Sequence, residues 1–272
     1  MKIEKKIKAS KQTNMSKPKN QYNCHDPELI EYQRYFNEKN KVEPEPEPEP
    51  EPFKKILALH GGGGSALGFQ QQQGIQDLEN SQRLGQYEFV FIDSPVQGGV
   101  WWEDPPGDDK GGKSVTTDPN HADVSINYIV SYVENNGPFY GILGYSQGAA
   151  MVIALLAYTD LQFERVLLFN GYLPTTHEGI MATINSEKPL MEKPLIFLGQ
   201  NDINFYSLGL EKKTVFLKYI ELISSQAGHE LPTNNDVTFD DVVDYILDGI
   251  EPEPEPEPEP EFEPEPEPEP EP

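Results

Sequence analysis

The stretch that most narrows the choice of fold runs from Phe139 to Tyr158. An apolar segment, Phe139-Tyr-Gly-Ile-Leu143, leads into Gly144-Tyr-Ser-Gln-Gly148, and then into a run of mostly small or apolar residues, Ala149 to Tyr158. The first part reads as a buried strand and the last as a helix apolar on every side, hence buried on every side. Passing from one to the other within five residues demands a sharp turn with Ser146 at its apex, in a backbone conformation that side chains avoid. Glycines two residues to either side remove the side chains that would collide across the turn. An ordinary glycine-rich turn with an exposed serine is the plainer reading. The flanking strand and helix are what favour a nucleophile elbow.

The chain from Phe53 to Ile250 repeats this alternation. Lys55–Leu59, Tyr87–Asp93, Arg165–Phe169, Pro194–Leu198 and Lys218–Ile223 read as strands. Helical patterns fall over 77–84, from the Asp118-Pro119 cap to Gly137, and over 239–250, where Phe239, Val242, Val243, Ile246, Leu247 and Ile250 share a face. Strands alternating with helices predict an α/β fold whose mostly parallel sheet is doubly wound, with helices on both faces. Residues 94–120 form a long Gly-, Asp- and Pro-rich connection carrying Trp101 and Trp102. A segment of this length inside a compact domain is usually functional.

Three parts are expected: residues 1–52, a domain over 53–250, and a tail over 251–272. The Glu-Pro tracts at 43–52 and 251–272 hold 16 glutamates. Alternating proline and self-repelling glutamate predict a disordered, polyproline-like spacer or tail, extending about 3.1 Å per residue. A repeat expansion in tolerated ends is the simpler explanation of both. A short helix near 28–37 is the one element expected in the first part.

The net charge of −25 includes −14 on residues 53–250. That suits neither a nucleic-acid phosphate surface nor an anionic membrane. A single cysteine, Cys24, leaves no intrachain disulfide, and no stretch reaches the ~20 apolar residues needed to span a bilayer. The expected location is the cytoplasm, with a lysine-rich transit peptide and a start at Met15 both left open. Oligomeric state is not legible.

A serine hydroxyl needs a base, and the base an orienting group. In the α/β-hydrolase order, serine is followed by the acid and then the histidine. Asp202, in Gly199-Gln-Asn-Asp202, lies just after a strand, at the sheet edge where such sites form. His229, in Gly228-His229-Glu-Leu-Pro232, is the one histidine downstream of it. Taken singly, Asp202 reads as a turn residue and His229 as a surface residue. Of the other histidines, His60 is expected to shape the glycine loop, His121 to begin a helix, and His177 and His25 to play no catalytic part.

Acyl transfer also needs N–H donors for the oxyanion. Gln147, after the serine, supplies one. The His60-Gly-Gly-Gly-Gly64 loop supplies another, with Gly62 first and Gly63 next. That glycine run lacks the spacing of a nucleotide-phosphate loop. Gly63, Trp101 and Trp102 are candidate walls of an acyl pocket, and the two tryptophans fit equally well as anchors of their loop. The chemistry calls for no metal and no cofactor.

The set Leu59-His-Gly61, Phe91-Ile-Asp-Ser-Pro95, Gly141-Ile-Leu-Gly-Tyr-Ser-Gln-Gly-Ala149, Phe169-Asn-Gly-Tyr172, Gly199–Asp202 and Gly228–Pro232 resembles the FSH family of serine hydrolases. The resemblance covers essentially all of 53–250. It implies an α/β-hydrolase without a large cap domain, and hydrolysis of a small-molecule carboxylic ester or thioester. It also implies Ser146 as nucleophile, Asp202 as acid and His229 as base. Two other classes remain as alternatives: a small-molecule-binding protein on the same scaffold, and an assembly protein acting through its Glu-Pro tails.

Overall fold

The computed structural model describes residues 52–105, 114–190 and 192–248, plus six helical positions between 27 and 36. Both Glu-Pro tracts and Ile250 lie outside the described residues, apart from Pro52. The chain divides into two units. The first, Met1–Glu51, contributes only those six positions, which fall where a short helix is expected. The second begins at Pro52 and holds the sheet and every candidate site residue.

Six strands build one sheet: β1 (Lys54–Leu59), β2 (Tyr87–Ile92), β3 (Gly141–Tyr145), β4 (Arg165–Phe169), β5 (Glu192–Gly199) and β6 (Lys218–Ser224). Their spatial order is β2-β1-β3-β4-β5-β6 and every pairing is parallel. The order reverses between β1 and β3, since β2 continues to one side and β3 to the other. Loops leaving the C-terminal ends of two such strands diverge and open a crevice, the usual ligand position in open α/β sheets. Leu59 pairs with Gly144 in register. The glycine loop after β1 and the turn after β3 therefore start side by side.

Alternation along β1 shows why helices cover both faces. Leu57 and Leu59 belong to one buried cluster, Ile56 and Ala58 to the other. The first cluster is completed by α3 (Asp123–Asn136), α4 (Gln147–Tyr158) and α5 (Glu178–Glu187), together with Trp101 and Trp102. The second is completed by α1 (Ala66–Gln70), α2 (Gln73–Glu79) and α7 (Phe239–Asp248). A short helix, α6 (Tyr206–Gly209), runs into a 3₁₀ segment, Leu210–Val215, between β5 and β6. Nearly every residue of α4 is buried, as its composition requires. Along α7, Phe239, Val242, Val243 and Ile246 are buried and Leu247 partly so.

Two boundaries depart from the sequence reading. The helix expected from Asp118 starts at Asp123, because Asp118 Oδ1 accepts from the Asn120 N–H and closes a turn instead. The helix expected over 77–84 is α2, ending at Glu79, followed by a separate 3₁₀ turn at Gln82–Leu84. The helices α1, α5 and α6 have little periodic signal. In α5, Ile180 and Ile184 are the two buried apolar side chains. Among the described residues no helix is long and apolar enough to cross a membrane.

Candidate active site

Ser146 occupies the turn between β3 and α4 with φ 54° and ψ −118°, a conformation costly for any side chain. The turn survives because its neighbours are bare. A Cβ on Gly148 would lie 2.3 Å from the Leu59 carbonyl oxygen, and one on Gly144 would lie 2.5 Å from the Gly148 oxygen. The serine is nearly buried, at 9% exposure.

Asp202 follows β5 and is 4% exposed. Its Oδ1 accepts from the N–H groups of Asn204 (3.2 Å) and Phe205 (3.0 Å). Those donors leave Oδ2 free to face His229 Nδ1, at 2.5 Å. His229 Nε2 lies 2.9 Å from Ser146 Oγ. Three residues separated by up to 83 positions in sequence thus form one chain of hydrogen bonds in the serine–histidine–carboxylate order.

Two aromatic rings pack against the imidazole. Phe205 stacks on it with ring centroids 4.6 Å apart and Tyr145 packs at 5.3 Å. The Tyr145 hydroxyl donates to the His229 carbonyl oxygen. Burial, with smaller contributions from Asp202 and Glu230, pushes the Tyr145 phenol up to about 12, so it stays a neutral donor. The roles of Tyr145 and Phe205 escape a sequence reading. Tyr145 is the variable position of the G-x-S-x-G pattern. Phe205 lies three residues past the acid in a stretch with no periodicity.

The structure separates the candidate oxyanion donors. Gly63 N–H donates to Gly99 O at 2.8 Å and Gly64 N–H to Gly61 O at 3.0 Å, so both are engaged. The N–H groups of Gly62 and Gln147 have no hydrogen-bond partner among the described residues. Of the two glycines favoured from sequence, Gly62 is the one with a donor to offer. The two loops touch there, since a Cβ on Gly62 would sit 3.0 Å from Gln147 Oε1. Gly63, with φ +74°, is exposed.

His60 shapes this loop, as expected. Ser94 N–H donates to its Nε2 (3.1 Å), which leaves the ring proton on Nδ1 to donate to Gly61 O (2.8 Å). Trp101 and Trp102 are 0% and 1% exposed. The Trp101 indole N–H donates to His60 O (2.8 Å) and its backbone N–H to Gln147 Oε1 (2.9 Å), while Gln147 Nε2 donates to Trp102 O (3.0 Å). Rings with no accessible surface have none to offer an acyl chain. This corrects the wall reading of the pair in favour of the anchor. His177 and His121 sit apart from the triad chain. Each bonds the Glu103 carbonyl through Nε2, and burial pulls His177 below its ordinary value. Among the described residues no three His, Cys, Asp or Glu side chains converge as a metal site requires.

A doubly wound parallel sheet with a strained serine between strand and helix, and an acid and a histidine arriving from later loops, is the architecture of an α/β-hydrolase. Comparison with known proteins narrows this further. Residues 51–240 match the family described as serine hydrolase (FSH1), and the chain belongs to that family. It is similar to a Caenorhabditis elegans esterase, 28% identical over half of this chain and 69% of that one. It is also similar to a Gibberella fujikuroi esterase, 29% identical over 68% of this chain and 82% of the other. Among solved structures, acyl-protein thioesterase 2 from Zea mays shares the fold, with a TM-score of 0.52 at 17% identity, covering 73% of this chain and 94% of that one.

Proposed function

We propose that this serine hydrolase cleaves small-molecule carboxylic esters or thioesters through an acyl-enzyme on Ser146. The observation that carries this reading is the unbroken hydrogen-bonded chain from Ser146 Oγ through His229 to the buried Asp202. His229 Nε2 takes the hydroxyl proton as Oγ bonds to the acyl carbon. The resulting oxyanion faces the N–H groups of Gly62 and Gln147. His229 then returns the proton to the departing alkoxide or thiolate, leaving the acyl group on Ser146. Water, deprotonated by the same imidazole, attacks that ester; as the bond to Oγ breaks, His229 gives the proton to Ser146 Oγ and the acid departs. Asp202 orients the imidazole and stabilises its charged form.

The family match over 51–240 supports a single hydrolase domain over 53–250, flanked by the Glu-Pro segments. The −14 charge of that domain fits a small-molecule partner better than a nucleic acid, and the lone cysteine fits the cytoplasm. The esterase descriptions of the relatives support ester bonds as the target class.

Turnover of p-nitrophenyl butyrate tests the reading. Ser146→Ala is expected to lower kcat by about 10⁶-fold, the scale seen when a triad serine is removed, and to abolish labelling by a fluorophosphonate. Near-normal turnover in a folded Ser146→Ala protein would remove the assignment.

A further inference from the structure

Asn170 is the residue immediately after β4, with φ 46° and 2% exposure. It stands between the elbow and the acid loop, because Phe169 pairs with Tyr145 on one side and Phe197 on the other. Its side chain makes two bonds of opposite polarity. Oδ1 accepts from the Gly199 N–H (2.8 Å), at the root of the loop that carries Asp202. Nδ2 donates to the Glu230 carbonyl (2.7 Å), the residue after His229. One amide therefore reaches across the end of β5 and joins the acid loop to the base loop.

The base loop has other ties. Asn201 N–H donates to Ala227 O (3.0 Å), and Asn201 Nδ2 bonds the Ser225 and Gln226 carbonyls. All of these lie on the N-terminal side of His229. On the other side, the bond from Asn170 fixes the chain. Tyr145 holds the His229 carbonyl itself. Without the Asn170 bond the Glu230 carbonyl loses its tie to the acid loop, and the chain after His229 is held by the buried Leu231 and by the Asn234 N–H bond to Asp77, neither of which touches the acid loop.

We propose that Asn170 is a positioning residue for the serine chemistry, its amide setting the separation at which Asp202 and His229 meet. This rests on the reading of Ser146, Asp202 and His229 as the reacting groups. The two bonds need a donor and an acceptor on one short, planar side chain. Aspartate keeps the Gly199 bond but sets an oxygen against the Glu230 carbonyl. Glycine removes both bonds and still accepts the positive φ.

The test uses Asn170→Gly and Asn170→Asp in the full chain, with kcat and KM for p-nitrophenyl butyrate. The second readout is the far-downfield proton resonance of the His229 Nδ1–H bonded to Asp202. Misplacing the base is expected to lower kcat by about 10²-fold in both variants, with KM within about twofold and the resonance lost. A folded variant with near wild-type kcat overturns the role. So does a reduced kcat with the resonance intact, since the loss would then not act through the acid–base pair. Should Asn170→Gly fail to fold, Asn170→Asp, which keeps the side chain's shape, decides by the same readouts. Ser146→Ala run in parallel separates the two readings. Turnover surviving there removes the catalytic assignment and this role with it. A dead Ser146→Ala beside fully active Asn170 variants removes only the role of Asn170.

Discussion

The elbow at Gly144–Gly148 and the long connection between β2 and α3 meet at Gln147, and they are held by opposite means. The elbow is held by what its residues lack. Its glycines let α4 lie against the carbonyl groups of Leu59 and His60 at distances no Cβ would permit. The connection is held by what it inserts: two buried indoles, bonds to Gln147 and His60, and a hydrogen bond from Ser125 Oγ to Trp101 O at 2.5 Å. Crowding of backbone on backbone is specified within a few residues. Anchoring by large side chains depends on partners dozens of residues away.

Substitutions on each side break this contrast. The largest effect on activity is expected from Gly148→Ala, whose new methyl would push α4 off β1 and shift Ser146 with it. Activity should fall at least about 10²-fold, and stability by about 3 kcal/mol, as read by hydrolysis of p-nitrophenyl butyrate and by urea denaturation. Trp101→Ala should divide the two quantities differently. Removing a fully buried indole costs about 3–5 kcal/mol, while the serine turn keeps its own geometry, so kcat of the folded fraction should change far less than for Gly148→Ala. Equal activity losses in the two variants would erase the distinction.

The smallest effect is expected at Lys212, which belongs to neither segment and serves as a control. Its side chain has no accessible surface, its Nζ lies 3.4 Å from Leu168 O, and burial, opposed by Glu221, pulls its amine down to about 7. Between pH 7 and 10.5 the unfolded chain carries this proton and the folded protein does not, so stability rises with pH across that window. Below it both states are protonated and the full penalty applies. Lys212→Met should therefore be more stable than wild type near pH 7, with the gap narrowing by at most about 1.4 kcal/mol per pH unit towards 10.5. Urea melts at several pH values, with unchanged ester turnover, check this.

The same contrast accounts for what could be read from the sequence. The elbow, Asp202 after β5 and His229 after β6 each carry their signal locally: apolar strand, then turn, then functional side chain. The choice between Gly62 and Gly63 is not local, because it turns on Gly99, 36 positions further on, accepting the Gly63 N–H. Burial of Trp101 and Trp102 was equally out of reach, since it depends on α3, α4 and the carbonyl of His60. The start of α3 at Asp123 differs for a smaller reason: Asp118 reads as a cap, and its side chain closes a turn two residues later.

The strand order β2-β1-β3-β4-β5-β6 also fixes how this protein would fail. Ser146 and the Gly62 and Gln147 N–H groups hang from β3 and β1, paired strands near the middle of the sheet. His229 hangs from β6, at one border, and borders open at lower free energy than centres. A partial melting that begins at β6 would carry the proposed base, His229, away and leave Ser146 and the proposed oxyanion donors in place. On the proposed roles such a molecule would be silent towards esters yet keep the elbow intact, and its activity would return on cooling without rebuilding the elbow.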